Sequence, residues 1–439
     1  MKYRVSKPEN LSAEVTLPSS KSISNRALLL TALSGGNVGL LSNVSDCDDT
    51  SAMLRALATI SQERSSGWPS PASPSSIDIG AAGTAMRFVT ALLAMTPGTR
   101  LLTGSRRMQE RPIGKLVEAL RQLGADISYA GNDGFPPLLI SGRPLTGGTL
   151  RMAGNISSQY VSALLMIAPL LRGGLRLELE GQVMSRPYID MTLAMMRSFG
   201  AMAQWDDGQC LTVAAQPYTP VAYNIESDWS AASYWYAIVF LSDQQEETAT
   251  LKGLFADSLQ GDSAVADIFG QLSVRTLHVA RGQSEPRAML IRRGAVPHRL
   301  EWDFASTPDL AQTVVVACAL RDIAFRFTGL QSLRIKETDR IAALQTELDK
   351  LGVSIEVEAD GVLSWNGASA QRQASVPYLC PAEGTCIATY DDHRMAMAFA
   401  PAAMVLGSIL IDNPEVVSKS YPRFWDDLRL VGFGVETLE

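Results

Sequence analysis

The chain repeats one pattern six times: a short polar cluster leads directly into an apolar stretch long enough for a buried helix. The clusters are rich in Ser, Gly, Asp and Asn, the residue types that cap helix N-termini. They recur at intervals of roughly 60 to 85 residues, and a recurring pattern of this kind predicts a repeated structural unit. The six clusters begin at Ser19, Gly80, Asn155, Glu226, Ser306 and Tyr390.

A second, amphipathic stretch follows several of the buried ones and ends at a glycine. Gly124, Gly200 and Gly352 stand at these positions, and each precedes two strand-like segments joined by Asn-Asp-Gly or Asp-Gly. Glycine after the last helical turn and Asp-Gly between alternating segments indicate a helix C-terminus and a hairpin. The unit is therefore predicted to be strand, buried helix, strand, amphipathic helix and hairpin, which makes the chain an α/β (α+β) protein.

Six units divide naturally into two domains of three. Pro217 and Pro220 indicate irregular backbone just before a junction at residues 223–225. The first polar cluster begins only at Ser19, so residues 1–18 are free to pair with the C-terminal half. The prediction is one domain at residues 19–224 and a second at 1–18 plus 225–439.

Composition narrows the class of protein. The 439 residues are 46% hydrophobic with a net charge of −7, and no run of Lys and Arg indicates a nucleic-acid or membrane partner. Residues 1–7 lack the apolar core of a signal peptide. Five scattered cysteines and three histidines lack disulfide or metal-site spacing, so we expect a cytoplasmic protein without a metal; these residues are Cys47, Cys210, Cys318, Cys380, Cys386, His278, His298 and His393. We also expect a monomer.

Several of the predicted helix starts carry cations. A helix N-terminus presents unpaired N–H groups and about half a positive charge, so such starts can bind anions. Lys21 and Arg26 lie in or just after the first cluster, Arg87 follows the second, and Arg394 lies in the last. Helix capping alone also explains each cluster, but it does not explain these cations.

Other polar residues suit the same chemistry. Gly83 lies in a glycine-flanked loop that enters a helix, and Arg111 precedes a proline where it can clamp a carboxylate. Ser157, Ser158 and Gln159 offer hydrogen-bonding groups at a helix start. For each, capping or close packing is the simpler alternative.

Two clusters combine carboxylates with cations. The segment 334–340 has five charged side chains in seven positions; we expect Lys336 and Arg340 on one helical face with Glu337 beside them, unless the segment is only a solvated helix surface. The segment 391–394 opens an apolar helix, which makes a solvated surface a poor explanation.

These motifs, taken together and in order, resemble the enolpyruvyl transferases and, within that family, the EPSP synthases. The matching strings are LPSSKSISNRALLL, AAGTAMRF, QERPIG, SSQYVSALLM, SRPYID, RIKETDR and YDDHRMAM. The resemblance implies an inside-out α/β barrel of two domains, three repeated units each, that close on a cleft. It also implies transfer of the enolpyruvyl group of phosphoenolpyruvate to the 5-hydroxyl of shikimate 3-phosphate by addition and elimination, with release of phosphate and no cofactor.

The resemblance assigns roles residue by residue. It implies that shikimate 3-phosphate contacts Ser22, Arg26, Ser157, Ser158, Ser185, Asp309 and Lys336. It implies that phosphoenolpyruvate contacts Lys21, Gly83, Arg111, Arg340, Arg394 and Lys419, with Gln159 between the two substrates. The candidate catalytic residues are Asp309 as base, Glu337 as proton donor, Lys21 near the developing charge, and His393.

Two positions depart from the family pattern: Ser332 replaces a frequent Asn, and Phe88 replaces a frequent Pro. Two alternatives stay open from the sequence. One is an enolpyruvyl transferase that acts on another acceptor, such as UDP-N-acetylglucosamine. The other is a non-catalytic anion-binding paralogue, against which the joint presence of Asp309 and Glu337 argues.

Overall fold

A computed structural model of the chain describes residues 1–11, 13–243, 248–278, 286–368 and 385–438. Its residues form two compact units, one of Met1–Pro18 with Glu226–Glu439 and the other of Ser19–Ile225. Each unit has a hydrophobic core of its own. Cys380 lies outside the described residues.

The unit Ser19–Ile225 contains two four-stranded sheets of the same strand order. In each, one edge strand pairs parallel with its neighbour, and the two remaining strands form an antiparallel hairpin. The first sheet has the order Ser75–Asp78, Gly98–Thr103, Leu138–Gly142, Asp126–Tyr129, and the second the order Thr146–Ala153, Arg172–Glu180, Cys210–Val213, Ala203–Trp205. A short parallel pair joins Leu41–Ser42 to Tyr223–Asn224.

Helices of two kinds connect these strands. Gly83–Met95 is buried from Gly83 through Ala94, because it packs against other helices and strands on every side. Gly114–Gln122 instead buries Leu116, Val117, Ala119 and Leu120, the spacing of one amphipathic face. The other helices of this unit are Lys21–Leu33, Asp48–Ser66, Arg106–Gln109, Ser158–Ile167 and Arg186–Ser198.

The described residues of the other unit form three four-stranded sheets, and all repeat the order of one parallel pair followed by two antiparallel strands. Their strands are Ala13–Thr16, Thr248–Lys252, Arg287–Arg292, Val274–His278; Arg299–Asp303, Ala324–Thr328, Val362–Trp365, Glu356–Ala359; and Cys386–Ile387, Ser408–Asp412, Lys2–Ser6, Gly434–Leu438. The helices are Trp229–Leu241, Val265–Gln271, Ala311–Leu320, Arg340–Asp349, His393–Phe399, Ala403–Leu406 and Phe424–Leu430.

The leading segment supplies strands to two of these sheets. Lys2–Ser6 pairs antiparallel with both Ser408–Asp412 and Gly434–Leu438, so it is an interior strand. Ala13–Thr16 pairs parallel with Thr248–Lys252 at the edge of another sheet. The first residues of the chain therefore complete structure that is otherwise built from its second half.

The prediction for the segment 334–340 is wrong in one respect. Lys336 and Arg340 do not share a helical face, because the helix begins only at Arg340. Asp339 caps it by accepting hydrogen bonds from the backbone N–H groups of Ile341 and Ala342, both at 3.1 Å. A carboxylate at this position stabilises the helix start, and the preceding residues adopt other conformations.

Candidate active site

Seven charged side chains of the unit with the C-terminal half form one network, which we call the Arg340 cluster. They come from different parts of the chain: the start of the helix that follows Pro308, the segment before Arg340, the start of the helix His393–Phe399, and the turn that ends at Lys419. The members are Asp309, Lys336, Glu337, Arg340, Asp392, Arg394 and Lys419.

Arg340 is the centre of this network and its side chain is 1% exposed. Its Nε lies 2.7 Å from Oδ2 of Asp392, its Nη1 2.9 Å from Oδ1 of Asp309, and its Nη2 2.9 Å from Oε2 of Glu337. Burial lowers the pKa of the guanidinium, but the three carboxylates outweigh burial and raise it above its ordinary value. A buried arginine with three carboxylate partners is a fixed positive charge.

Asp309 is held by three cations. Besides Arg340, it lies 3.3 Å from Nζ of Lys336 and 3.1 Å from Nη2 of Arg394. Burial raises its pKa, yet Arg394, Lys336 and Arg340 together lower that pKa well below the ordinary value of an aspartate. In this state Asp309 is an ionised carboxylate and a weak base.

Glu337 lies between two cations, since its Oε1 is 3.0 Å from Nζ of Lys419 and its Oε2 contacts Arg340. His393 is 1% exposed, and its Nδ1 lies 3.7 Å from Oδ1 of Asp392. Asp392 caps the helix by accepting a hydrogen bond from the backbone N–H of Arg394 at 2.9 Å. The structure thus brings both predicted carboxylates and all four predicted cations of this unit together.

A further carboxylate, Asp262, lies behind Arg394. The guanidinium of Arg394 donates to the hydroxyl of Ser230 at 3.4 Å, and that hydroxyl donates to Asp262. Burial, followed by the charge of Asp309, raises the pKa of Asp262 to about 6. Arg394 also donates to Tyr234, whose pKa burial raises to about 12. Nothing in the local sequence of Asp262 indicated this position.

The unit Ser19–Ile225 carries the other predicted residues. Lys21 begins the helix Lys21–Leu33, which Ser20 caps, and its Nζ lies 3.5 Å from Oδ2 of Asp49. Ser22 lies in the first turn of the same helix, and its carbonyl accepts a hydrogen bond from Arg26 at 3.0 Å. Asp49, like Asp262, was not singled out from the sequence because its partner is distant along the chain.

Arg26 is 2% exposed and bonded within its own unit. Its Nε donates to Thr192 at 2.7 Å, its Nη2 to Ser162 at 3.1 Å, and its guanidinium lies 5.4 Å from the ring of Phe88. Burial lowers its pKa to about 10.

Gly83 and Arg111 are in direct contact. A Cβ added to Gly83 would lie 2.7 Å from Nη1 of Arg111, so only glycine leaves the guanidinium in its place. Arg87 supports the same loops by donating to the carbonyls of Gly83 at 3.1 Å and Pro112 at 3.0 Å. The glycine-flanked loop and the loop of Arg111 are therefore packed together.

The serine-rich helix start is joined to this surface through Gln159, whose Nε2 donates to the hydroxyl of Thr84 at 3.0 Å. Ser157 caps the helix that begins at Ser158. Ser185 precedes the helix Arg186–Ser198 with a φ of 52°.

The two departures from the family pattern lie in different surroundings. Phe88 lies under Arg26, while the buried hydroxyl of Ser332 has no hydrogen-bond partner within the described part of the chain.

Two negative findings concern the described residues alone. In the ranges that the structure describes, no group of three or more His, Cys, Asp or Glu side chains is placed to hold a metal ion. No helix in the same ranges is long and apolar enough to cross a lipid bilayer.

Singly placed cations around buried carboxylates are typical of proteins that bind small polyanions and transfer groups between them. The model of the family EPSP synthase (3-phosphoshikimate 1-carboxyvinyltransferase) matches residues 5–428. The chain belongs to the EPSP synthase family.

Individual relatives agree with this family. A protein of Bacteroides fragilis (strain YCH46), named 3-phosphoshikimate 1-carboxyvinyltransferase, is 52% identical over 439 residues, which cover 100% of each chain. A protein of the same name from Shewanella halifaxensis (strain HAW-EB4) is 37% identical and covers 95% of this chain and 96% of its own. A solved structure of EPSP synthase from Acinetobacter baumannii covers 100% of both chains with a TM-score of 0.75 and 21% identity, which makes it a match in fold.

Proposed function

We propose that this chain transfers the enolpyruvyl group of phosphoenolpyruvate to the 5-hydroxyl of shikimate 3-phosphate and releases phosphate. The observation that carries the proposal is the Arg340 cluster, in which the two candidate catalytic carboxylates lie among buried and half-buried cations. The 52% identical relative of the same length bears the name of this activity. The reaction belongs to the shikimate pathway, which leads to chorismate and the aromatic amino acids.

Both substrates carry a phosphate and a carboxylate, so the enzyme must hold four anionic groups close together. Two unit charges 4 Å apart repel each other by about 4 kcal/mol at an effective dielectric constant of 20. We assign phosphoenolpyruvate to Lys21, Gly83, Arg111, Gln159, Arg340, Arg394 and Lys419. We assign shikimate 3-phosphate to Ser22, Arg26, Ser157, Ser158, Ser185, Asp309 and Lys336, again with Gln159.

Binding of these anions would change the chemistry of Asp309. Arg394 and Lys336, which lower its pKa in this structure, are also the groups assigned to the substrates. A phosphate or carboxylate that shares these cations weakens their effect on Asp309, and its pKa rises. Substrate binding would therefore convert a weak base into one able to accept the proton of the attacking hydroxyl.

Glu337 is our proton donor to the methylene carbon of phosphoenolpyruvate, and it must first be protonated, which requires that substrate anions share the cations that contact it. Its two oxygens contact Lys419 and Arg340, so its orientation is fixed from both sides. Those cations also stabilise the carboxylate that remains after the proton has left. We assign Lys21 to the charge that develops on the substrate. His393, which begins the helix His393–Phe399, is the remaining candidate catalytic residue.

We also propose a repeated architecture for the two domains. The common strand order of the four-stranded sheets supports an inside-out α/β barrel of six repeated units, three per domain, with domains at residues 19–224 and 1–18 plus 225–439. We also propose that the enzyme acts in the cytoplasm as a monomer.

The test is release of inorganic phosphate from phosphoenolpyruvate with shikimate 3-phosphate as acceptor. UDP-N-acetylglucosamine serves as the control acceptor. We expect phosphate release with shikimate 3-phosphate and none with UDP-N-acetylglucosamine. Release with neither acceptor, or with the second alone, would contradict the proposed function.

A further inference from the structure

The turn that precedes the helix His393–Phe399 has an unusual backbone. Tyr390 and Asp391 have φ angles of 55° and 54°, in the left-handed region that residues with a Cβ disfavour. Two such residues in succession persist only where surrounding contacts hold them, and this strain occurs most often at functional sites. The turn leads directly to Asp392 and Arg394 of the Arg340 cluster.

Glu347 holds this turn from one side. Its carboxylate is fully buried and accepts hydrogen bonds from the hydroxyl of Tyr390 at 2.6 Å and the backbone N–H of Ala388 at 3.1 Å. Glu347 lies on the helix Arg340–Asp349, two turns after Arg340 and therefore on the same face. One helix thus contacts the turn at two points, through Arg340 with Asp392 and through Glu347 with Tyr390.

Asn413 holds the turn from another element. It follows the strand Ser408–Asp412 and is itself left-handed, with a φ of 45°. Its side-chain amide donates to Oδ1 of Asp391 at 2.8 Å, and its carbonyl accepts from the hydroxyl of Thr389 at 3.4 Å. The strained residues are therefore bonded to a helix and to a strand end that lie far apart in the sequence.

We propose that Glu347, Tyr390 and Asn413 are positioning residues for the reaction. They hold the left-handed turn so that Asp392 contacts Arg340 and Arg394 contacts Asp309. This inference rests on the proposed function. The three residues act through Asp392 and Arg394. A shift of about 1 Å at a reacting group can cost about 10²-fold in rate, so a relaxed turn should impair catalysis.

Tyr390→Phe is the sharpest variant, because it removes one hydroxyl from a side chain that is 39% exposed, and the carboxylate of Glu347 keeps its hydrogen bonds from Ala388 and Lys350. We expect kcat/KM for phosphoenolpyruvate to fall by about 10- to 100-fold, since Arg394 is assigned to that substrate, while KM for shikimate 3-phosphate stays within about twofold. Tyr3→Phe is the matched control, because Tyr3 lies on the strand Lys2–Ser6 with its ring against Trp425.

Asn413→Gly tests the second contact. Glycine adopts the left-handed backbone of this exposed position without strain. The substitution therefore removes the hydrogen bond from the side-chain amide to Asp391 and little else. We expect the same selective fall for phosphoenolpyruvate. A lower melting temperature with unchanged kcat/KM in both variants would show a role in stability alone and would overturn the inference.

Amide hydrogen exchange gives a measure that does not depend on turnover. The N–H groups of Asp392, Arg394 and Met395 are bonded within the turn and the first helical residues. We expect faster exchange of these three amides in Tyr390→Phe and no change in Tyr3→Phe. If the wild-type protein releases no phosphate, the proposed function fails, and exchange still decides whether Tyr390 holds the turn; unchanged exchange overturns the inference.

Discussion

At the scale of single residues, the candidate site is a set of carboxylates whose protonation depends on what surrounds them. Asp309 and Asp262 both lie near Arg394, yet the pKa of Asp309 is lowered and that of Asp262 is raised to about 6. Asp309 contacts three cations directly, whereas Asp262 is linked to Arg394 by way of the hydroxyl of Ser230. Direct contact with cations decides which aspartate stays charged.

Glu337→Gln should reduce kcat by about 10²- to 10⁴-fold, the usual contribution of a positioned acid or base. Glutamine keeps the size of the side chain and its contact with Arg340, so KM for both substrates should change little. Steady-state phosphate release measures both quantities. Glu415→Gln, on the nearby turn Pro414–Lys419, is the control, and a wild-type kcat in Glu337→Gln would remove Glu337 from the mechanism.

Asp262→Asn should change how stability depends on pH. Because the folded-state pKa of about 6 lies above the ordinary 3.8, the folded protein binds the proton more tightly, and Asp262 contributes stability that is complete below pH 3.8 and is lost as the pH rises through 6. The unfolding free energy of the wild type minus that of the variant should fall by roughly 1 kcal/mol per pH unit between pH 4 and 6.

Denaturant unfolding at several pH values gives this difference. Asp267→Asn, an exposed carboxylate on the helix Val265–Gln271, is the matched control and should give a flatter pH dependence. If this difference instead rises with pH over the same range, the folded-state pKa of Asp262 is not raised.

At the scale of elements, the sequence predicted local structure better than partners. Ser20, Asp228 and Asp392 cap helices as their patterns indicated, because a cap is decided within three residues. The partners of Arg340 could not be predicted, since Asp309 and Asp392 lie 31 and 52 positions away and meet it only through the packing of helices. The capping role of Asp339 was not predicted, because the charged residues around it favoured the interpretation that Lys336 and Arg340 share a helical face.

The same limit applies to Arg26. Its place in a polar helix start predicted a ligand contact, but the structure surrounds it with Thr192 and Ser162 from two other helices. Those partners lie 166 and 136 positions away. Burial of a cation is a property of the assembled helices, and no local pattern reports it.

Gly83→Ala tests the contact between the glycine-flanked loop and Arg111. The new Cβ would lie 2.7 Å from Nη1 and 3.2 Å from Cζ of Arg111, so the flexible guanidinium must move while the backbone stays. We expect KM for phosphoenolpyruvate to rise about tenfold, equivalent to about 1.4 kcal/mol, with a smaller change in kcat. Gly208→Ala, where a Cβ meets open space, is the control; an unchanged KM would separate Arg111 from phosphoenolpyruvate.

At the scale of the whole molecule, the resemblance to the family predicts that the domains close when both substrates bind. Small-angle scattering measures this directly, and we expect the radius of gyration to fall when phosphoenolpyruvate and shikimate 3-phosphate are both present. Each substrate alone serves as the control. Identical scattering curves with and without ligands would contradict closure.

The interior position of Lys2–Ser6 has a consequence for biosynthesis. On the ribosome this strand emerges long before both of its neighbours, Ser408–Asp412 and Gly434–Leu438. At a synthesis rate of about 5–20 residues per second, the time between the synthesis of this strand and that of its neighbours is roughly 20 to 80 seconds. The nascent peptide must spend that time with this strand unpaired, while the intervening Ser19–Ile225 has all the residues of its own core and can fold before release.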